Sequence, residues 1–356
     1  MRITQSSDIA PDTLTDILSA CGVLRSGAVT AVACDMESSQ KGFISNVATF
    51  NVTYSLDAKG DLPQRFFLKV TKSELHPEYR QVGQHEISFY TTILPSAHDL
   101  PAPRCYYADW DADTQHAVLL LADLSQSHFQ RPLPLPPAPS ECQRIAESLA
   151  RTHAHWWNHP QLGKTIGAPL TPDEADASLK RLEASYPHFM EYLGDALLPA
   201  QKGAYERIFA SSFLQRRAQR LQAQQTVTLI HGDAHTNNLM LPYDHARGQA
   251  ILIDWHRWSV DVPLYDLAFL VALHWSAERR AALEQPLLRH YYDHLLGQGV
   301  SAYSWEDCWN DYRASVIVMT LIPIGQFRRR MSAGVIWYGM EQSVAAFNDL
   351  ACVELL

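Results

Sequence analysis

The 356-residue chain contains no apolar run approaching the roughly 18 residues a membrane-spanning helix requires, so no membrane partner is expected. Its amino terminus, Met1-Arg-Ile-Thr-Gln-Ser-Ser-Asp8, lacks an apolar core segment. No signal peptide is expected, and the cytoplasm is the expected location. Positive charge is scarce: 29 Lys and Arg stand against 38 Asp and Glu, a net charge of −9. Nucleic-acid binding leaves a basic patch or stripe, so that partner is not expected either. A local cluster of lysine and metal can still bind phosphates inside an acidic protein. The six cysteines, Cys21, Cys34, Cys105, Cys142, Cys308 and Cys352, include no C-x-x-C pair, which excludes a zinc ribbon and a dithiol redox motif. They read as scattered thiols of a reducing compartment, mostly small buried hydrophobes. There is no internal repeat, no low-complexity tract, no H-E-x-x-H and no G-x-G-x-x-G. Gly163-Lys164-Thr165 resembles the end of a phosphate-binding P-loop. The first glycine of that loop would fall on Asn158, and no strand precedes it, so it is set aside.

What is present divides the chain. Strand patterns cover Ala28 to Cys34, Ile44 to Leu56, Arg65 to Thr71, Arg104 to Trp110 and Ala117 to Leu121, through β-branched content or alternation. Pro77 to Leu94 has helical spacing, with proline at the first helical position and Pro95 after the stop. This predicts a five-stranded antiparallel sheet with one helix after the third strand. Ser125 to Ser140 holds five prolines and reads as a boundary. Helical patterns follow at 139–157, 171–197, 201–224, 264–274, 277–296 and 305–329, around a strand-rich island at 226–254. The length suggests two bodies: residues 1–124 as a nucleotide-binding β-rich lobe, 125–140 as connector, and 141–356 as a helical lobe. The fold class expected is α+β.

The densest chemical signal is Thr228-Leu-Ile-His-Gly-Asp-Ala-His-Thr-Asn-Asn-Leu-Met240, a polar loop between two apolar strands. A second island, Ala250-Ile-Leu-Ile-Asp-Trp255, again ends an apolar strand in a carboxylate. Phosphoryl transfer needs a base for the acceptor proton, oxygen ligands for Mg2+ and a cation on the nucleotide phosphates. Asp233 and Asn238 have the D-x-x-x-x-N spacing of a kinase catalytic loop, with Asp233 as the base. Asp254 stands where the metal-binding Asp of D-F-G would lie. Hard magnesium prefers such oxygen donors, so Asn238 and Asp254 are the metal candidates. Lys69 stands alone among Phe66, Phe67, Leu68 and Val70, and Glu86 on the following helix is its candidate partner.

The sequence resembles the aminoglycoside phosphotransferase and choline kinase group, whose loop is His-Gly-Asp-x-x-x-x-Asn followed by an Ile-Asp-aromatic strand end. Within it the ecdysteroid-kinase-like branch is the nearest in pattern. Glu86-Ile-Ser-Phe-Tyr-Thr-Thr-Ile-Leu-Pro95, Leu119-Leu-Leu-Ala-Asp-Leu-Ser125 and the stretch from Asp254 through Tyr265-Asp-Leu-Ala-Phe-Leu270 carry that finer match. The resemblance covers roughly residues 30 to 320. It implies a protein-kinase-like two-lobed fold, with a small antiparallel β lobe bearing one inserted helix and a larger, mainly helical lobe. It also implies ATP and Mg2+ as cofactors, a small-molecule acceptor, and nucleotide binding in the cleft between lobes. Asp266 would brace the catalytic loop through His231, and the backbone near Ala122 and Leu124 would hold the adenine. The phosphate-covering loop would be Ser38 to Ser45, with Gly42 and Ser45 nearest the phosphates. The chain departs from the pattern at His256, which replaces the Gly of D-F-G. It departs again at Ala122, which replaces an acidic hinge residue with Asp123 beside it, and near Asp261, where a common Gly is missing.

Other readings stay open at this level. A catalytically silent nucleotide-binding module would use the same residues. A metal-dependent hydrolase could use His231, Asp233 and His235, although it leaves Lys69 and Glu86 without a purpose. His153, His155 and His159 surround Trp156-Trp157; on a helix His153 and His155 face different sides, so packing and capping are expected of them. Trp305, Trp309 and Tyr312 have the spacing of a core stripe. Trp255 and Trp258, which follow Asp254, are candidates with His235 for an acceptor pocket. Arg328-Arg-Arg330 reads as a helix carboxyl end facing water.

Overall fold

The computed structural model describes residues 3–41, 45–72, 77–97, 99–132, 135–244 and 248–356. Gly42, one of the two expected phosphate contacts, lies outside the described residues. In chain order the first elements are α1 (Pro11–Ala20), β1 (Leu24–Ser26), β2 (Val29–Lys41), β3 (Ser45–Tyr54), β4 (Lys59–Gly60), β5 (Arg65–Thr71) and α2 (Pro77–Ser88). Then come β6 (Cys105–Asp111), β7 (His116–Ala122), β8 (His128–Phe129), α3 (Pro139–His155), α4 (Pro172–Leu193), α5 (Pro199–Ala210) and α6 (Phe213–Gln222). The last are β9 (Thr228–Ile230), β10 (Leu239–Pro242), β11 (Ile251–Leu252), β12 (Ser259–Asp261), α7 (Leu264–Val271), α8 (Ala277–Gly297), α9 (Trp305–Arg328) and α10 (Ala333–Asp349).

Contacts divide the chain into two compact units. The first comprises residues 1–129, 242–244 and 251–257. Its centre is a five-stranded antiparallel sheet in the order β2-β3-β5-β7-β6. Successive strand side chains point to opposite faces, and β5 shows the result. Phe66, Leu68 and Val70 are buried in a core shared with Leu14, Ile17 and Leu18 of α1, which leaves Lys69 on the other face. That face is the one α2 approaches: a Cβ added at Gly83 would sit 2.7 Å from the Ala117 Cβ and 2.9 Å from the Thr71 Cγ2. Only glycine lets the helix lie so close to β5 and β7. Past Ser88 the helix widens into a π turn over Phe89–Ile93.

The second unit comprises residues 130–241, 245–250 and 258–356 and is mainly helical. In it α3 packs along α8, and α9 packs on α10 and α7. The short ribbon of β9 and β12 is antiparallel, with Leu229 opposite Val260. Two sequence expectations change here. The single helix read over 201–224 is two, α5 and α6, because Ser211 takes an extended conformation. The cysteines are only partly core: Cys142, Cys308 and Cys352 are buried, while Cys21 and Cys34 are exposed. Among the described residues, no helix is long and apolar enough to cross a membrane.

Candidate active site

In the first unit the chemistry gathers on Lys69. In β5 its neighbours across the sheet are Val47 and Leu119, so its ammonium group lies beside apolar strands and requires partners. It finds two. Glu86 of α2 accepts at 2.8 Å through Oε1 and stands at 2.7 Å through Oε2. Asp254 Oδ1 accepts at 2.6 Å. Asp254 therefore belongs to the first unit with Lys69, not to the helical body where the sequence order had put it. Its backbone is left-handed, φ +64°, an uncommon conformation that asparagine and aspartate tolerate better than most residues.

The departure at position 256 becomes part of this cluster, because the His256 Nδ1 lies 2.8 Å from the same Asp254 Oδ1. Both contacts use Oδ1, and the Asp254 side chain keeps about a third of its surface, 36%, exposed. The Oδ2 side is thus where a hard cation could be held. Burial acts to raise the Asp254 pKa, yet Lys69 and the His256 hydrogen bond outweigh it and hold the carboxyl far below its ordinary range. Burial likewise acts to lower Lys69, but Glu86 and Asp254 raise it above its usual value. For Glu86 burial dominates, and Asp254 adds to it, so its pKa rises despite Lys69.

Ser45 opens β3 opposite Thr71 and is buried. Its Oγ has no hydrogen-bond partner among the described residues. A buried hydroxyl left unpaired costs about 1–3 kcal/mol, which a phosphate oxygen would offset. At the end of β7 the Ala122 N–H donates to the Arg104 carbonyl at 2.8 Å, and the Leu124 carbonyl accepts from the Ser127 and His128 N–H groups. Asp123 turns away to Arg65, 2.9 Å from Nε.

In the second unit the loop after β9 is fixed from behind. Asp266, on α7, is completely buried. Its Oδ2 accepts from the His231 N–H at 2.7 Å, and its Oδ1 accepts from the Gly232 N–H at 2.8 Å. The hold is on main-chain amides, and it needs the positive φ of Gly232, +77°, which glycine adopts without strain. Behind Asp266 stands His153 of α3, its Nε2 3.2 Å from Oδ2 and its Nδ1 2.8 Å from the Tyr291 hydroxyl of α8. Burial acts to raise the Asp266 pKa, but His153, then His231, pull it below the ordinary value.

The sequence pattern assigns His153 to packing, and nothing in it marks Tyr291 as its partner. The signal was weak, because nothing in the chain marks which acid a buried histidine meets. His231 is buried as well, and its Nδ1 accepts from the Asp233 N–H at 3.3 Å.

The front of the loop carries the polar groups. Asn238 donates its Nδ2 to the Asp233 carbonyl at 2.9 Å and to Asp233 Oδ2 at 3.3 Å. Committing the amide nitrogen leaves the amide oxygen as the atom that could meet a hard cation. His235 caps the turn at Thr236–Asn238, and its Nε2 is 3.7 Å from Asp233 Oδ2. Its ring lies 6.2 Å from that of His274. His274 Nδ1 donates to the Phe269 carbonyl at 2.7 Å. Burial lowers the His274 pKa to about 4, with His235 adding to the effect, so this imidazole is neutral.

The two tryptophans expected to line an acceptor pocket are both buried. Trp255 is fully buried, stacked on Phe89 at 3.9 Å between centroids, with its Nε1 donating to the Leu252 carbonyl. A ring without exposed surface cannot touch an acceptor, so Trp255 is core. Trp258 is buried too, against Gly167. Nor do His231, Asp233 and His235 form a metal-ligand triad. Among the described residues the group of three such ligands that does converge is Glu147, His290 and His294.

Comparison with known proteins bears on the fold and the family. No curated protein matches the chain, but solved structures do. An aminoglycoside phosphotransferase-like protein of Ralstonia eutropha is 15% identical, with a TM-score of 0.53 over 97% of this chain and 99% of that one. The GDP complex of aminoglycoside 2'-phosphotransferase-IIIa is 13% identical, with a TM-score of 0.52 over 96% and 100%. An ethanolamine kinase of Plasmodium vivax is 13% identical, with a TM-score of 0.52 over 90% and 83%. These likenesses establish the kinase-like phosphotransferase fold. The sequence itself matches the ecdysteroid kinase-like family over residues 39–299, and the chain belongs to that family.

Proposed function

We propose that the protein is an ATP- and Mg2+-dependent kinase that phosphorylates a hydroxyl, or an amine, of a small molecule. The observation that carries the reading is the Lys69 ammonium held between Glu86 and Asp254, with the second Asp254 oxygen left for a metal. Bound Mg-ATP supplies the electrophilic γ-phosphorus and the cation that neutralises its oxygens. Lys69 binds the nucleotide phosphates, and Glu86 fixes the direction of the ammonium group. Asp254 and the Asn238 amide oxygen hold the metal. Ser45 offers its unpaired hydroxyl to a phosphate oxygen, and the backbone at Ala122 and Leu124 receives the adenine. Asp233 accepts the acceptor's hydroxyl proton as the new O–P bond forms and the bond to the β-phosphate oxygen breaks, and ADP leaves. Asp266 keeps the loop in place through its two amide contacts. The neutral His274 and its neighbour His235 flank Asp233 on the acceptor side.

The test is ADP release from Mg-ATP across a panel of hydroxylated and amino metabolites. One or more should stimulate release. Asp233→Ala should then lower turnover by roughly 10²–10⁴, the usual worth of a positioned base, with the fold intact. Asp254→Asn should weaken Mg-ATP binding and its metal dependence. Nucleotide binding without turnover on any acceptor would leave a silent module instead. Near-normal turnover in Asp233→Ala would remove the assigned base.

A further inference from the structure

Away from these residues, α3 and α8 bring together three side chains whose chemistry the kinase reading does not use. His290 and His294 are four residues apart on α8, so they share one helix face. Their rings lie 4.5 Å apart between centroids. Glu147, on α3, faces them: its Oε1 is 3.0 Å from His290 Nε2 and 3.5 Å from His294 Nε2. One donor atom from each residue falls within 4.8 Å of the other two.

We propose that Glu147, His290 and His294 form a binding site for a divalent transition metal of the zinc type, distinct from the magnesium site of phosphoryl transfer. The donor set, two imidazole nitrogens and one carboxylate oxygen, suits zinc, whereas magnesium calls for an all-oxygen shell. The spacing suits it too. With ligands about 2.0–2.2 Å from the ion, neighbouring donors of a tetrahedral site stand roughly 3.3–3.5 Å apart. Arg144 holds the other carboxylate oxygen, Oε2, at 2.8 Å, which turns Oε1 toward the histidines. The three side chains keep 22%, 27% and 41% of their surface exposed. An ion can therefore enter from solvent, and a water can fill its fourth position.

The site is mounted on a rigid pair. One residue beyond His290, Tyr291 reaches across to His153, the histidine behind Asp266. A metal there would pin α3 to α8 beside the link that supports the loop. It would act as a clamp on the scaffold and would touch no reactant.

The experiment uses the whole protein, stripped of metal by chelator and titrated calorimetrically with zinc chloride in excess magnesium chloride. One zinc ion per chain is expected, and magnesium should not displace it. The His290→Ala/His294→Ala double variant should bind zinc at least about 10-fold more weakly, while its circular dichroism and its ADP release without zinc match the wild type. Zinc should raise the melting temperature of the wild type and leave that of the double variant unchanged. Absence of zinc binding by the wild type overturns the proposal. So does full-affinity binding by the double variant, which would place the ion on other histidines.

Discussion

At the scale of single residues, the surroundings of Lys69 decide what replacing it should do. Its side chain is mostly buried, 17% exposed, between two carboxylates, so it is not a surface pair of negligible worth. Breaking such a buried cluster typically costs about 3–5 kcal/mol, because the partners stay behind with uncompensated charge. Lys69→Met is therefore expected to lose nucleotide turnover and stability together at neutral pH. The stability deficit should shrink at acid pH, because Glu86, already raised by burial, takes up a proton and relieves the repulsion with Asp254. Urea denaturation at neutral and acid pH checks this, and a deficit independent of pH would show that repulsion is not its source.

His274 gives the opposite kind of test. Its folded-state pKa is about 4 against an ordinary 6.5, so between these values the unfolded chain binds the extra proton. Stability from this group is complete above the upper value. It declines as pH falls through the window, by about 3 kcal/mol in all. His274→Asn keeps a donor for the Phe269 carbonyl and removes the titration. Its unfolding free energy should consequently fall less than the wild type's between pH 7 and 4.5. Parallel curves would show that the imidazole carries none of the pH dependence.

At the scale of elements, the site is set by how closely α2 lies on the sheet. Gly83 is three residues before Glu86 and on the same side of the helix, and its missing Cβ leaves room for Ala117 and Thr71. Gly83→Ala should push the helix outward and lengthen the Lys69–Glu86 contact. Overpacking of this sort costs typically about 1–3 kcal/mol, and turnover should fall although no reactive group has changed. Unaltered kinetics in a folded Gly83→Ala would mean that the helix can shift without moving Glu86.

Elements also show what was legible in advance. The five sheet strands and α2 could be read because alternation, apolar runs and a leading proline are local signals. The split between α5 and α6 could not, since Ser211 and Ser212 break no periodicity and only the tertiary context extends Ser211. The candidate loop could be marked in advance for a chemical reason: the base and amide ligand proposed here need a fixed spacing, and Asp233 and Asn238 have it. The amide contacts of Asp266 were not, because a backbone N–H has no letter in the sequence. Trp255 misled for a related reason. Adjacency to Asp254 along the chain says nothing about which way an indole turns, and this one turns onto Phe89.

At the scale of the whole molecule, the first unit is discontinuous: residues 251–257 complete it, and they bring Asp254 and the Leu252 N–H that bonds to the Pro101 carbonyl at 2.7 Å. A fragment of residues 1–129 should therefore be poorly folded when expressed alone. In it Lys69 would keep Glu86 and lose its second carboxylate, and Phe89 would lose the Trp255 ring that covers it. Amide exchange on the fragment measures this; native-like protection of β5 and α2 would contradict it. The same threading bears on how such a chain can change over generations. Recombination at a single point can exchange modules that are beads on a string, but no single crossover here transfers the lysine's partners intact. The residues that hold the ammonium group are bound to be inherited with the helical sequence that lies between them.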